Sequence, residues 1–174
     1  HAAPLFLLLG DQELLPEESI DPETRLWNPA TIRKFLRKSF DEHLLHLTPI
    51  SVLLIGINQL QEIEQQYGKD ARHQILQTYS SAMRQCLRAD DLIGRYDDDK
   101  FLIVLNDCDP ERSTDVAKRI HSFVSSLQFH KLSIDHQPIT CIGIAGSDER
   151  GLETESQLLE HATLSLHDGS VIHN

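Results

Sequence analysis

The order of helical and extended patterns predicts one α+β domain in which helices cover a mixed sheet. Two observations carry this expectation. ISVLLIGI, residues 50–57, is a nearly continuous apolar run rich in branched side chains, as a strand buried on both faces requires. LIGRY at residues 92–96 and FLIVL at residues 101–105 flank the polar stretch DDDK, the pattern of a β-hairpin with a four-residue turn. Helical periodicity separates these runs, and the hairpin breaks any simple strand–helix alternation. A doubly wound parallel sheet is therefore not expected.

Taken in order, residues 11–22 (DQELLPEESIDP) are acidic and carry two prolines, a linker or cap pattern. A helix is expected over about residues 29–46, with Ile32, Phe35, Leu36, Phe40 and Leu44 on one face. After the first strand, Leu60, Ile63 and Tyr67 mark a short helix that breaks at Gly68. A longer one follows with Ile75, Leu76, Tyr79, Met83 and Leu87 on one stripe. Past the hairpin, Pro110 opens a helix whose Val116, Ile120, Phe123 and Leu127 face inward. Strands near residues 131–135 and 139–145 come next, then a closing helix over about residues 155–167.

A chain of 174 residues suits one domain with a real core. Its net charge of −11 repels nucleic acid and anionic membranes, so a phosphate-bearing ligand needs a local basic pocket. Cys86, Cys108 and Cys141 form no CxxC or Cys/His pair, which favours reduced, buried thiols in a cytosolic compartment. No apolar run has the length of a membrane span, and no basic segment with a cleavage site accompanies Leu5 to Leu9. The abrupt start is expected of a piece of a longer protein. His43 and His46 lie three apart, but no acid or cysteine completes a zinc site with them. His121, His130 and His136 are expected at the surface or an interface, and Trp27 as a packing anchor over the first helix.

RYDDDKF at residues 95–101 resembles the R-[YL]-G-G-[DE]-E-F hairpin of GGDEF domains, the diguanylate cyclase fold of bacteria. DPETRLWN at residues 21–28 resembles the family's D-x-L-T-G-L-x-N opening. LIGIN at residues 54–58, followed by Tyr67-Gly68-Lys69, takes the place of the D-[LI]-D strand and its Y-G-H. IGIA at residues 142–145 is similar to the late S-[IV]-G-[IV]-A strand, and LLEHA at residues 158–162 to the start of the final helix. The pieces are short; their shared order and spacing give the resemblance its weight. It covers residues 20–174 as a degenerate GGDEF domain, leaving residues 1–19 as an N-terminal extension or linker. The implied layout is nucleotidyl-cyclase-like: a central mixed, mainly antiparallel sheet of about five strands surrounded by helices.

The same resemblance implies a catalytic site without its chemistry. Asp97 and Asp98 stand at the two hairpin glycines, where each adds a Cβ to a turn open to positive φ. Each also brings negative charge toward a polyphosphate. Like charges at ~4 Å cost roughly 1 kcal/mol in water and several times that in a cleft. Asp99 keeps a metal-binding acid and Lys100 replaces its neighbour, while Gly56 replaces the strand acid that would complete the Mg²⁺ site. Glu64 and His73 align with the guanine-reading Asn and Asp, and Ser170 with a helix lysine. Phosphoryl transfer rests on positioning and charge neutralisation, so no cyclase activity and no cofactor are expected. Asp97–Asp99 read first as a solvated acidic hairpin tip, with a weak Mg²⁺ or Ca²⁺ site and a protein contact as the lesser alternatives.

Arg88 and Asp91 form an R-x-x-D at the end of the long helix, nine residues before Asp97. The family places its inhibitory, cyclic di-GMP-binding site there, and counting onward puts Arg119 at a second arginine of that site. A guanidinium can pair with phosphate or make a bidentate contact to guanine O6 and N7. A carboxylate can accept from guanine N1 and N2. Alternatively Arg88 and Asp91 simply pair with each other, a contact worth about 0–1 kcal/mol when exposed, and Arg119 is a solvated charge. The expected function is a catalytically inactive cyclic di-GMP receptor or regulatory module in bacterial signalling, of the kind that controls biofilm or motility. The alternative is a scaffold or dimerisation domain that binds no ligand. Expected partners are cyclic di-GMP and a neighbouring domain or protein, a second copy included. Nucleic acid and direct membrane insertion are not expected, and the expected compartment is the cytoplasm, with a larger membrane-associated parent protein left open.

Overall fold

A computed structural model of the chain describes residues 16–129, 138–168 and 172–173. The expected strand at residues 131–135, His130, His136, Ser170 and most of the N-terminal extension lie outside them. The elements are α1 (Pro16–Ser19), α2 (Pro29–His46), β1 (Ile50–Asn58), α3 (Leu60–Tyr67), α4 (Lys69–Gln85), β2 (Leu92–Asp97) and β3 (Lys100–Asn106). They continue with α5 (Pro110–Ser125), β4 (Ile139–Gly146), α6 (Glu155–Asp168) and the two-residue β5 (Ile172–His173). The sheet order is β2-β3-β1-β4-β5; its described strand pairs are antiparallel, and an isolated parallel bridge joins Trp27 to Gly94 in β2.

Local chemistry sets the helix starts. Asn28 accepts from the Thr31 amide at 2.9 Å and Asp109 from the Arg112 amide at 2.9 Å, each just before a proline at the first helical position. Such side-chain caps satisfy amides that the first helical turn leaves unpaired. Gly68, at φ 94°, separates α3 from α4 in a conformation that side chains rarely adopt.

β1 is buried from Ile50 to Ile57, as its apolar run requires. Leu53, Ile55 and Ile57 point into a core built with α3, α4 and α5, while Val52 and Leu54 enter a second core with α2 and α6. Trp27 closes this second core, its ring edge-on to Phe35 at 4.9 Å, as expected of a packing anchor. Cys86 and Cys108 are buried. Two apolar expectations fail, and a third residue meets the core from outside its helix. Leu44 is 53% exposed because α2 is held by Ile32, Leu36 and Phe40 and its last turn overhangs the core. Phe123 is exposed because α5 turns Ala117, Ile120 and Val124 inward instead. Leu87 is half-buried beyond the end of α4, which stops at Gln85.

The hairpin turn is tighter than the sequence predicts. Asp97 pairs with Lys100, leaving Asp98 and Asp99 as the loop, and the ladder is irregular between Arg95 and Asp97. Neither Asp97 nor Asp98 has positive φ, so the side chains that replace glycine carry no backbone strain. The buried Arg95 fixes the tip. Its Nε donates to the Asp97 carbonyl at 2.9 Å and its Nη2 to the Asp98 carbonyl. Its Nη1 pairs with Asp21 at 3.1 Å and Glu23 at 2.9 Å. The Arg95 amide donates to the Trp27 carbonyl at 2.8 Å, so the segment before α2 covers the outer edge of β2.

Two glycines are required by packing. A Cβ on Gly94 would stand 2.4 Å from the Ile32 Cβ, and one on Gly143 would stand 2.1 Å from the Ala162 carbonyl oxygen. Gly56 differs, since its Cβ would meet Leu166 at an ordinary 3.7 Å. Gly94→Ala and Gly143→Ala are expected to cost about 2–3 kcal/mol each. That lowers Tm by roughly 4–12 °C for a domain of this size, whereas Gly56→Ala leaves it nearly unchanged in the same thermal melts. Arg95→Met leaves carboxylates and tip carbonyls unpaired, and about 2–4 kcal/mol of destabilisation is expected, since Asp21 and Glu23 remain partly solvated. Chemical denaturation measures it; a loss indistinguishable from zero would remove Arg95 as the clamp.

Candidate functional site

The residues aligned with a catalytic site gather only in part. Glu64, Asp97, Asp98, Asp99 and Lys100 line one cleft of about 450 Å³ together with Leu60, Gln61 and Arg72. Gly56 lies in β1 opposite Lys100, and the Ile57 amide donates to the Asp99 carbonyl at 2.9 Å. His73 stands apart: its side chain is 42% exposed, with Nδ1 3.6 Å from a Glu23 oxygen.

Within this cleft two cations face four carboxylates, so two of the acids are paired and the lining stays negative. Lys100 Nζ lies 3.1 Å from the Asp99 carboxylate. Arg72 Nε lies 3.4 Å from Glu64, its Nη1 3.2 Å from Glu23, and its Nη2 donates to the Asp98 carbonyl at 3.3 Å. The acid that would hold a divalent cation thus faces an ammonium, and no strand carboxylate joins it at Gly56. Asp99 is thus a carboxylate already held by an ammonium, where Mg²⁺ usually takes one or two carboxylates together with substrate phosphates. Arg72 is the participant that sequence reading missed; its place one turn after Gly68 was the available signal.

A second constellation lies across the domain at the end of α4. Arg88 and Asp91 are not on the helix: they bound a β-turn in which the Asp91 amide donates to the Arg88 carbonyl at 3.1 Å. The Asp91 carboxylate accepts from the Arg88 amide at 2.9 Å and lies 3.4 Å from its Nη2. The spacing of three therefore arises from a turn closed twice. Asp91's side chain is only 2% exposed while that of Arg88 is 42% exposed, so the carboxylate serves Arg88 and is not open to a guanine edge as expected. This hydrogen bond holds the Arg88 pKa above its ordinary value.

Arg119, from α5, donates from Nη2 to the Cys86 carbonyl at 3.2 Å, satisfying an acceptor where α4 ends. Arg88 and Arg119 are thereby anchored two residues apart on one stretch of backbone. Asn106 and Arg112, which the sequence did not single out, complete the surroundings. The Asn106 carbonyl accepts from Arg88 Nη2 at 3.1 Å, and the Asn106 amide group donates to the Asp90 carbonyl at 2.9 Å. Burial pushes the Cys108 thiol up, and Arg112 and Arg88 partly oppose it; Arg112 Nη1 donates to the Asp107 carbonyl at 3.4 Å. Burial likewise raises Cys86, against the pull of Arg119. The result is a local concentration of guanidinium on a domain that is acidic as a whole.

Comparison with known proteins gives this geometry a context. The family model described as "Diguanylate cyclase, GGDEF domain" matches residues 18–168. Diguanylate cyclase DosC of Escherichia coli K12 is 33% identical over 112 residues, which is 62% of this chain and 24% of DosC. Diguanylate cyclase A of Treponema denticola is 26% identical over 122 residues, 68% of this chain and 32% of the relative. The match thus spans about a quarter to a third of the length of these relatives. Among solved structures, the FimX GGDEF domain from Pseudomonas aeruginosa has a TM-score of 0.80 at 20% identity, covering 87% of this chain and 93% of that one. The GGDEF domain of DgcB from Caulobacter crescentus, solved with c-di-GMP, has a TM-score of 0.79 at 18% identity, covering 87% and 90%. These structures share the fold; the family match over most of the length, together with the hairpin and its flanking strands, shows that the chain belongs to the GGDEF family of diguanylate cyclase domains.

Proposed function

We propose that this domain is a catalytically inactive GGDEF module that binds cyclic di-GMP at the Arg88–Arg119 surface and passes occupancy to a neighbouring domain or partner protein. The observation that carries the reading is the half-exposed Arg88 guanidinium, oriented by Asp91 and standing beside the Arg119 contact at Cys86. Two cations on one open patch suit a ligand with two phosphates. Arg88 turns Nε and Nη2 to Asp91 and Nη2 also to the Asn106 carbonyl, which leaves the Nη1 donors to meet a phosphate. Asp91 acts here as a positioning residue. The loss of turnover follows from the cleft, where Lys100 faces Asp99 and Arg72 lies between Glu64 and the hairpin carbonyl.

A second reading has its own observation. The Arg88 turn is held by bonds within the protein itself, from Asp91 to the Arg88 amide and guanidinium and from Arg88 Nη2 to the Asn106 carbonyl, as a structural cap requires. The domain would then be a scaffold. Calorimetric titration of cyclic di-GMP separates the two, with saturable binding expected for the parent chain. Arg88→Ala and Arg119→Ala should each weaken it by about ten- to a hundredfold, the loss of one charge-assisted contact. Silent titrations, or equal affinity in Arg88→Ala, would leave the scaffold reading. Incubation with GTP and Mg²⁺ followed by chromatography should yield no cyclic di-GMP; product at a rate above background would overturn the inactive assignment.

A further inference from the structure

Between α2 and α6 a groove of about 670 Å³ is lined by Arg33, Tyr96, Ser156, Leu159, Glu160 and Leu164. The Arg33 guanidinium carbon lies 4.7 Å from the centre of the Tyr96 ring. An aromatic face orients a guanidinium without cancelling its charge. Arg37 stands one turn further along α2; its Nε lies 3.0 Å from Glu155, and its side chain remains 72% exposed. On the α6 side Leu164 is 59% exposed. The charges of α2 run against what its own stability favours. Arg33, Lys34, Arg37 and Lys38 are all exposed and form two like-charge pairs at four-residue spacing, which weaken a helix. The first turn holds no acid. Asp41 and Glu42 follow Arg37 and Lys38 in the weaker order for a pair within one helix. Among the described residues, neither of these acids has an ion-pair partner.

We propose that this groove docks an acidic amphipathic helix of a partner protein, whose carboxylates meet Arg33 and Arg37 and whose apolar side chains cover Leu159 and Leu164. Charge and spacing select that occupant. Arg33 and Arg37 are about 6 Å apart along the axis of α2, the same rise that separates carboxylates four residues apart on a partner helix. One acidic face can therefore meet both guanidiniums, with Arg33 held over Tyr96 and its N–H fork left for a carboxylate. Tyr96, Leu159 and Leu164 give that helix an apolar surface beside the cations, as helix-in-groove recognition requires. A flat anionic membrane fits less well, because Glu160 lines the same groove and the exposed Asp41 and Glu42 follow on α2. The inference does not depend on nucleotide binding.

Fluorescence anisotropy tests it, with the 174-residue chain titrated into a labelled helical peptide of about 16 residues that carries glutamates and leucines on one face. Saturable binding that weakens as salt rises is expected. The same peptide with glutamine in place of each glutamate should bind at least about tenfold more weakly. Arg33→Glu and Arg37→Glu should each cost at least about tenfold in affinity. Leu164→Ser should weaken binding while leaving the thermal melt unchanged, because the side chain is exposed. Lys118→Glu makes the same change of charge at an exposed position of α5 and should have no effect. No binding up to about 1 mM overturns the proposal. So does a glutamine peptide that binds equally well, or a Lys118→Glu chain as impaired as Arg33→Glu. Co-sedimentation with phosphatidylglycerol vesicles that Arg33→Glu abolishes, with the acidic peptide left unbound, would assign the face to a lipid surface and overturn it equally.

Discussion

One buried guanidinium ties the N-terminal segment to the hairpin. Arg95 sits 5% exposed, yet it reaches two carboxylates before α2 and two carbonyls at the tip of the β2–β3 turn. A buried cation is costly unless every donor is used, and here the donors of the guanidinium fork face acceptors from both sides. The shape of the hairpin tip and the course of residues 21–27 therefore depend on each other. Arg72 extends the same network through Glu23 and the Asp98 carbonyl, so the tip is gripped from two elements. The cleft beneath it inherits its shape from this arrangement and not from any ligand.

That dependence separates two uses of charge in one domain. In the cleft, both cations are paired with acids and Asp97 and Asp98 add further negative charge, which opposes a polyphosphate. At the Arg88 turn the pairing is of a different kind. Asp91 is enclosed and spent on orientation, while the guanidinium it orients keeps an open face. Arg119 is likewise held by a carbonyl and not by a carboxylate, so its charge is undiminished. A carbonyl orients a cation without cancelling it; a carboxylate does both. The patch gathers Arg88, Arg112 and Arg119 among Asp90, Asp91, Asp107 and Asp109 on a chain of net charge −11.

Much of this fold was legible in the sequence because its signals were strong and local. The apolar run of β1, the proline-marked starts of α2 and α5, and the Gly68 break all rest on chemistry confined to a few neighbours. What escaped needed tertiary information. Leu44 and Phe123 fit a helical stripe by spacing, but the stripe that is buried depends on where the partner surface ends. Arg88 and Asp91 fit a helix end equally well, and only the main-chain bond between them reveals a turn. The fate of the Asp91 carboxylate was invisible for the same reason, as were Arg72, Asn106 and Arg112, whose roles come from neighbours distant in sequence.

The glycines differ in what packing demands of them. Gly94 and Gly143 lie where a helix presses directly on strand backbone, and a single methyl group at either would overlap atoms of α2 or α6. Packing alone holds such positions, because close-packed interiors have no slack for an added carbon. Asp97 and Asp98 occupy a hairpin tip where neither residue needs a left-handed conformation and solvent receives the side chains. Gly56 stands in a strand with room for a Cβ. Its backbone pairs equally well with any residue there. A sequence can therefore change at the tip and at the end of β1 without disturbing a single core contact, whereas the same freedom is denied one strand away. The resemblance survives in the strands and helix contacts, and fails at the cleft, for this mechanical reason.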